Sequence, residues 1–284
     1  MDDLRPSPIA GRWYPGQARA LRQSIDAYLA AALPLEAAAP DHVIGLLAPH
    51  AGHVYSGPVA AHAFRALQGA RVEVVAVVCP SHFHADGPAL TSGHAAYVTP
   101  LGAVAVDRAA VEQVRAELGA SLRRPPEQAL VEIRNDQEHA IEIELPFLQC
   151  TLEGEFSLLP IMLRDQSDTL AQALGAALAH ALGNRRALVV ASSDLSHYFP
   201  QAQAMQLDAE MLRQVEALDP NGVLAAQADG RGQACGAGAI AAMLWAARAL
   251  GAAQARVVRH ATSGDVSGDF DQVVGYGAAV LWKN

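Results

Sequence analysis

The feature that most constrains the fold is a set of short apolar runs: VIGLLA (43–48), VEVVAVVC (72–79), FSLLPIML (156–163) and ALVVAS (187–192). A strand with one face in water alternates polar and apolar residues, whereas a strand covered on both faces reads as an unbroken aliphatic run. Segments with helical spacing separate these runs. Leu21, Ile25, Leu29 and Leu33 recur every four residues within 17–33, residues 58–67 read as helical, and 167–182 opens on the capping pair Ser167-Asp168. This alternation predicts an α/β fold with a mainly parallel central sheet flanked by helices. Residues 203–218 and 236–250 add two predicted helices, and QVVGYGAAVLW (272–282) a closing strand. No internal repeat, low-complexity tract or linker interrupts the pattern, so one domain over 1–284 is expected.

Composition limits the partners. Hydrophobic residues make up 51% and charged residues 17%, enough apolar material for a large core and too much for disorder. Lys and Arg number 20 against 29 Asp and Glu, a net charge of −9 with no basic run, which argues against nucleic acid and anionic membrane surfaces as partners. MDDLRPSPIAGRWYPG carries acidic residues where a signal peptide carries basic ones. GAGAIAAMLWAARAL is cut by Arg248 before it reaches the ~18 apolar residues of a membrane span. Cys79, Cys150 and Cys235 are an odd number in a long chain and do not form a disulfide framework. A cytoplasmic protein that does not enter membranes is expected.

Three of the apolar runs empty into loops bearing histidine: Pro49-His50-Ala51-Gly52, Pro80-Ser81-His82-Phe83-His84, and Ser193-Asp194-Leu195-Ser196-His197. In open α/β sheets ligands bind beyond the carboxyl ends of the strands, so these loops predict a shared site. Two imidazoles from neighbouring strand ends are half of a metal site. His50 read alone is equally a loop histidine bonded to a carbonyl, and His84 is a second candidate beside His82. His53 is the weaker candidate of its loop. Asp194 and His197 offer a carboxylate–imidazole pair that sets a tautomer and supplies an acid or base; for Asp194, helix or turn capping is the alternative. A serine-protease triad from Ser193, Asp194 and His197 is excluded, because no G-x-S-x-G elbow is present and the three crowd one short segment.

NDQEHAIEIELPFLQ predicts a helix over 138–149 with Glu138 and Glu142 on a charged side and Ile141, Leu145 and Leu148 apolar, placing His139 and Glu142 side by side at i,i+3, toward the site or toward solvent. Cys235, in RGQACGAGAIAAMLW, precedes a Gly-rich helix start whose N–H groups favour a thiolate, a metal-binding species; a buried structural cysteine is the alternative. Cys79 and Cys150 read as small packed hydrophobes.

The ordered segments RPSPIAGRWYPG, PHAG, PSH, EHAIEIELPFLQ, SSDLSH, CG and TSGDVSGDFDQVVGYGAAVL resemble, end to end, the Memo family, called AmmeMemoRadiSam system protein B in prokaryotes. That family is similar to the catalytic subunit of class III extradiol dioxygenases, non-haem iron enzymes with an α/β fold, in which two His and one Glu hold the iron. The resemblance implies one transition metal ion, copper or iron with zinc possible, held by His50, His82 and Cys235, a thiolate replacing the carboxylate. It implies acid/base roles for His197 and His139, with Asp194 adjacent. This chain has His53 and Phe83 where some members read HAGY and SHH, departures that leave the implied ligands intact.

Three functions follow as expectations. The first is copper- or iron-dependent oxidoreductase activity of a dioxygenase-like kind. The second is a non-enzymatic adaptor working with AMMECR-type and radical SAM partner proteins. The third is a zinc hydrolase with Asp194 or His197 as base. No G-x-G-x-x-G after a strand and no P-loop names a substrate or nucleotide.

Overall fold

The computed structural model describes residues 3–284; Asp2 of the acidic N-terminus and the expected domain start at residue 1 lie outside the described residues. In chain order the first elements are β1 (Leu4–Arg5), α1 (Ala18–Ala31), β2 (Val43–Ala48), α2 (His53–Phe64) and β3 (Val74–Pro80). An excursion follows through β4 (Ala89–Ser92), β5 (Ala96–Thr99), β6 (Gly102–Ala105), α3 (Arg108–Leu122), α4 (Pro126–Ala129) and β7 (Leu130–Ile133). Next come α5 (Leu145–Thr151), β8 (Ser157–Leu163), α6 (Asp168–Leu182), β9 (Ala187–Ser192) and β10 (His197–Phe199). The chain closes with α7 (Gln201–Glu216), α8 (Pro220–Ala228), α9 (Ala237–Ala249), β11 (Gln254–Thr262), α10 (Gly264–Ser267) and β12 (Val273–Trp282).

The main sheet has nine strands in the order β10-β12-β2-β9-β3-β8-β4-β7, with β11 paired to β12. Its interior is parallel: β2 pairs with β9, β9 with β3, and β3 with β8. These are the four strands expected from the apolar runs, and β2 and β3 are buried along their whole length. β12 joins β2 and β4 joins β8 in antiparallel sense, with β7 parallel to β4, so the complete sheet is mixed. Because β2, β9 and β3 are adjacent and parallel, the loops after them leave the same edge of the sheet.

Helices cover the sheet. Helix α9 packs on β2, β3 and β9, and α2 packs on β2 and β12. Small residues set the spacing: a Cβ on Gly45 of β2 would meet Met243 Sδ of α9 at 3.0 Å, and one on Gly175 of α6 would meet Trp245 Cβ of α9 at 2.5 Å. Among the described residues no helix is long and apolar enough to cross a membrane.

Two helical expectations need correction. The helix predicted over 58–67 starts at His53 and tightens into a 3-10 turn over Arg65–Leu67. The helix predicted over 138–149 does not reach His139: a 3-10 turn spans Glu142–Glu144 and α5 follows. The cause lies in side chains that capture the backbone first. Asp136 Oδ1 accepts the N–H of Glu138 at 3.0 Å, and Glu138 Oε1 accepts the N–H groups of His139 and Ala140 at 2.9 and 3.0 Å. Consequently His139 and Glu142 do not share a helix face.

Candidate metal centre

His50 follows β2 and is 2% exposed. Its backbone N–H donates to Asp194 Oδ1 at 2.8 Å, its Nδ1 lies 3.1 Å from Ser192 Oγ, and its Nε2 lies 3.2 Å from Cys235 Sγ. Ser192 Oγ in turn donates to Ala140 O at 2.6 Å and contacts Glu144 Oε1 at 2.8 Å. Burial, followed by the nearby His82, pushes the His50 imidazole down to about 3, so it is neutral at pH 7. A neutral imidazole with one nitrogen already bonded is the form that binds a metal.

His82 follows β3, and Glu138 holds it twice. Oε2 accepts its backbone N–H at 2.7 Å, and Oε1 lies 2.9 Å from its Nδ1, which leaves Nε2 as the free ring nitrogen. Burial lowers the basicity of His82, but the hydrogen bond and charge of Glu138 outweigh it and raise the imidazole above its ordinary value.

Cys235 precedes α9, its N–H donating to Asp194 O at 3.1 Å and its carbonyl accepting from Gln166 Nε2 at 2.7 Å. The expected thiolate is not the metal-free state. Burial and the Asp194 charge push the thiol up to about 12, overriding the helix start. A bound cation would have to displace that proton.

One donor atom from each of His50, His82 and Cys235 lies within 4.8 Å of the other two. Metal–N bonds of ~2.0–2.1 Å and a metal–S bond of ~2.3 Å imply donor separations of roughly 3.3–3.6 Å around a tetrahedral ion. The residues therefore fit such an ion with small adjustments, and Ser192 and Glu138 supply the outer hydrogen bonds that orient the two imidazoles. Two imidazoles and a sulfur form a soft donor set suited to copper(I), iron(II) or zinc rather than magnesium or calcium.

His139 completes a cluster of imidazoles. Its ring stacks on His82 at 4.6 Å between centroids, meets His50 edge-on at 5.3 Å, and is covered by Trp13 at 4.2 Å. Burial, then His50, holds it down at about 3. His82, Glu138 and His139 also lie within 4.8 Å of one another, but Glu138 is occupied as a hydrogen-bond acceptor.

The carboxylate–imidazole pair offered by Asp194 and His197 is not joined by a hydrogen bond. The Nδ1 of His197 donates to Leu195 O at 2.9 Å, and its backbone N–H donates to Gln233 Oε1 at 3.1 Å. Its Nε2 is thus the nitrogen left to exchange protons. Asp194 is not a helix cap but a brace for the His50 backbone, and burial raises its carboxyl to about 6. A cavity of ≈ 470 Å³ opens over the imidazoles, with Trp13, Tyr55, Asp194, His197 and Tyr198 among its walls. A second, ≈ 460 Å³, is bordered by Gln166, Gln233, His197 and Cys235.

The remaining candidates lie elsewhere. His53 is packed between Tyr14 and Phe147 with Nε2 on Ile143 O at 3.0 Å, and His84 is exposed. Cys79 is fully buried and Cys150 half-buried. Sequence reasoning missed Ser192, Glu144 and Trp13 and placed Glu138 on a charged helix face. Glu138 alone had a local signal, as a carboxylate preceding a histidine.

A family model described as "Memo-like protein" matches residues 5–280. The chain is 33% identical over 277 residues to a "MEMO1 family protein" of Nitrosopumilus maritimus, covering 97% of this chain and 98% of the relative. It is 36% identical over 280 residues to one of Methanococcoides burtonii, covering 98% and 100%. With one of Thermotoga maritima it shares 38% over 241 residues, covering 84% and 83%.

Proposed function

The chain belongs to the Memo-like protein family, and from that premise we propose that it binds one copper or iron ion, with zinc the alternative, through His50, His82 and Cys235 and supports dioxygenase-like redox chemistry in the cytoplasm. One observation carries the reading: donors from three loops spread over 185 residues of the chain lie within 4.8 Å of one another. Each imidazole keeps its second nitrogen bonded, and both line the ≈ 470 Å³ cavity, where a substrate would have access.

A bound copper or iron ion would supply one-electron chemistry and Lewis acidity. The protein's own groups supply the rest. His197, its Nδ1 committed to Leu195 O, presents Nε2 as the acid/base nitrogen. Asp194 braces the His50 loop and places a carboxyl of raised basicity beside the cavity. His139, held neutral, stacked on His82 and covered at a tilt by Trp13, offers a hydrogen-bonding imidazole rather than a strong base.

The test is metal content. Tag-free protein and its Cys235→Ser and His82→Ala variants are assayed by elemental analysis after loading with copper(I), iron(II) or zinc. About one ion per wild-type chain and strong losses in both variants are expected; equal content in all three overturns the ligand set. Oxygen uptake that disappears in His197→Ala with metal retained supports the enzyme, and metal binding without oxygen uptake in any loaded form argues against it.

A further inference from the structure

The motif RPSPIAGRWYPG contains an arginine that the metal centre does not touch. Arg5 is 1% exposed and does not line the imidazole cavity. Four of the five N–H groups of its guanidinium are nevertheless engaged. Nε and Nη2 grip the Asp136 carboxylate at 3.1 and 2.7 Å, Nη2 also donates to Glu138 O at 2.6 Å, and Nη1 donates to Glu142 Oε2 at 2.9 Å. Cζ lies 4.6 Å over the Tyr97 ring. Glu142 is fixed from its other side by Tyr14 Oη at 2.5 Å and by Ser7 Oγ.

The consequence falls on Glu138. Its carbonyl is held by Arg5, and its N–H by Asp136 Oδ1, the oxygen that Arg5 itself grips. With both backbone groups fixed, the side chain reaches His82, meeting the ring Nδ1 at 2.9 Å and the backbone N–H at 2.7 Å. An unbroken chain of hydrogen bonds thus runs from Arg5 through Asp136 and Glu138 to His82.

We propose that Arg5 is a positioning residue for His82: through Asp136 and Glu138 it holds the imidazole so that Nδ1 is occupied and Nε2 is turned toward His50 and Cys235. The inference rests on the reading of His82 as a metal ligand. Only a guanidinium supplies donors in the three directions this loop requires, because its planar fork meets one carboxylate bidentately while other N–H groups point elsewhere. A buried ion pair adds little net stability over a well-packed apolar substitute. The network's main effect is therefore on where the loop's groups point.

The experiment uses the full chain in Arg5→Met and Arg5→Lys forms, with Leu118→Ala in the core of α3 as a control for general destabilisation. Two signals are read. In ¹⁵N-labelled metal-free protein, the bonded His82 Nδ1–H is expected as a slowly exchanging resonance in wild type, lost in Arg5→Met, partly restored in Arg5→Lys and intact in Leu118→Ala. With cobalt(II) as the probe ion, the thiolate-to-metal absorption band reports binding, and Arg5→Met is expected to weaken it about tenfold or more. A wild-type resonance in Arg5→Met, or a cobalt affinity no lower than that of Leu118→Ala, overturns the proposal. If wild-type protein gives the resonance but binds neither cobalt(II) nor zinc, the metal reading fails, and the resonance in the variants alone decides whether Arg5 positions His82. Should Arg5→Met fail to fold, Asp136→Asn removes the middle of the chain and is expected to give the same two losses; retention of both signals overturns the proposal equally.

Discussion

Cys235 Sγ lies 3.2 Å from His50 Nε2, although 185 residues separate them. The contact joins the loop after β2 to the start of α9, and the Cys235 N–H bond to Asp194 O ties in the loop after β9. A sulfur so placed selects soft ions. Cys235→Ser is expected to weaken copper(I) and zinc binding by more than the ~10–100-fold typical of losing an outer hydrogen-bond partner. Competition against a coloured chelator measures it, and unchanged affinities would remove Cys235 from the ligand set.

Glu138 accepts hydrogen bonds from the N–H groups of His82, His139 and Ala140 and faces the His82 ring. Gln at this position must turn an NH2 group against one of those donors. Glu138→Gln is therefore expected to cost about 1–3 kcal/mol of stability and to lower metal affinity ~10–100-fold. Thermal melts and calorimetric metal titrations should show both losses. A variant with wild-type affinity would mean that His82 needs no carboxylate to orient it.

Asp107 gives a pH signature remote from the centre. It caps α3 by accepting the Ala110 N–H at 3.0 Å and pairs with Arg185 Nη1 at 2.6 Å. Burial alone would raise its carboxyl, but these bonds and that of Ser157 bring it below 3.8. A depressed folded value means the stabilisation is complete above the unfolded pKa of ~3.9 and is lost as pH falls through the folded value. Asp107→Asn keeps a capping side chain but loses the charge facing Arg185, and is expected to be about 0.2–1 kcal/mol less stable at pH 7, with the difference shrinking below pH ~4. Urea melts at pH 7, 4 and 3 would refute this if the gap stayed constant.

Gly175 allows α6 to approach α9, since a Cβ there would lie 2.5 Å from Trp245 Cβ. Alanine normally favours helix, by up to ~1 kcal/mol over glycine. Here overpacking dominates, and Gly175→Ala is expected to destabilise by about 1–3 kcal/mol. A rise in melting temperature would show that the helices can separate without cost.

How much could be read locally depended on how far the deciding partner lay. The apolar runs at 43–48 and 187–192 match β2 and β9 residue for residue, because a strand buried on both faces leaves a continuous local signal. The short strands β4 to β7 and the edge strand β11 left no such signal: β4 to β7 have four residues each, and β11 is only partly buried. EHAIEIELPFLQ has helical spacing, yet Asp136 and Glu138 capture its first N–H groups and hold His139 out of the helix.

The sequence by itself determined that parallel strands would end in loops bearing His50, His82 and Asp194, since periodicity and strand-end position are properties of neighbours along the chain. Only the tertiary structure decided what those loops meet. Glu138 rather than solvent faces His82, Leu195 O rather than Asp194 takes the His197 ring, and burial keeps the Cys235 thiol protonated where a helix start alone would ionise it. Each outcome turns on desolvation or on a partner distant in sequence, and neither is encoded in the spacing of residues along one segment.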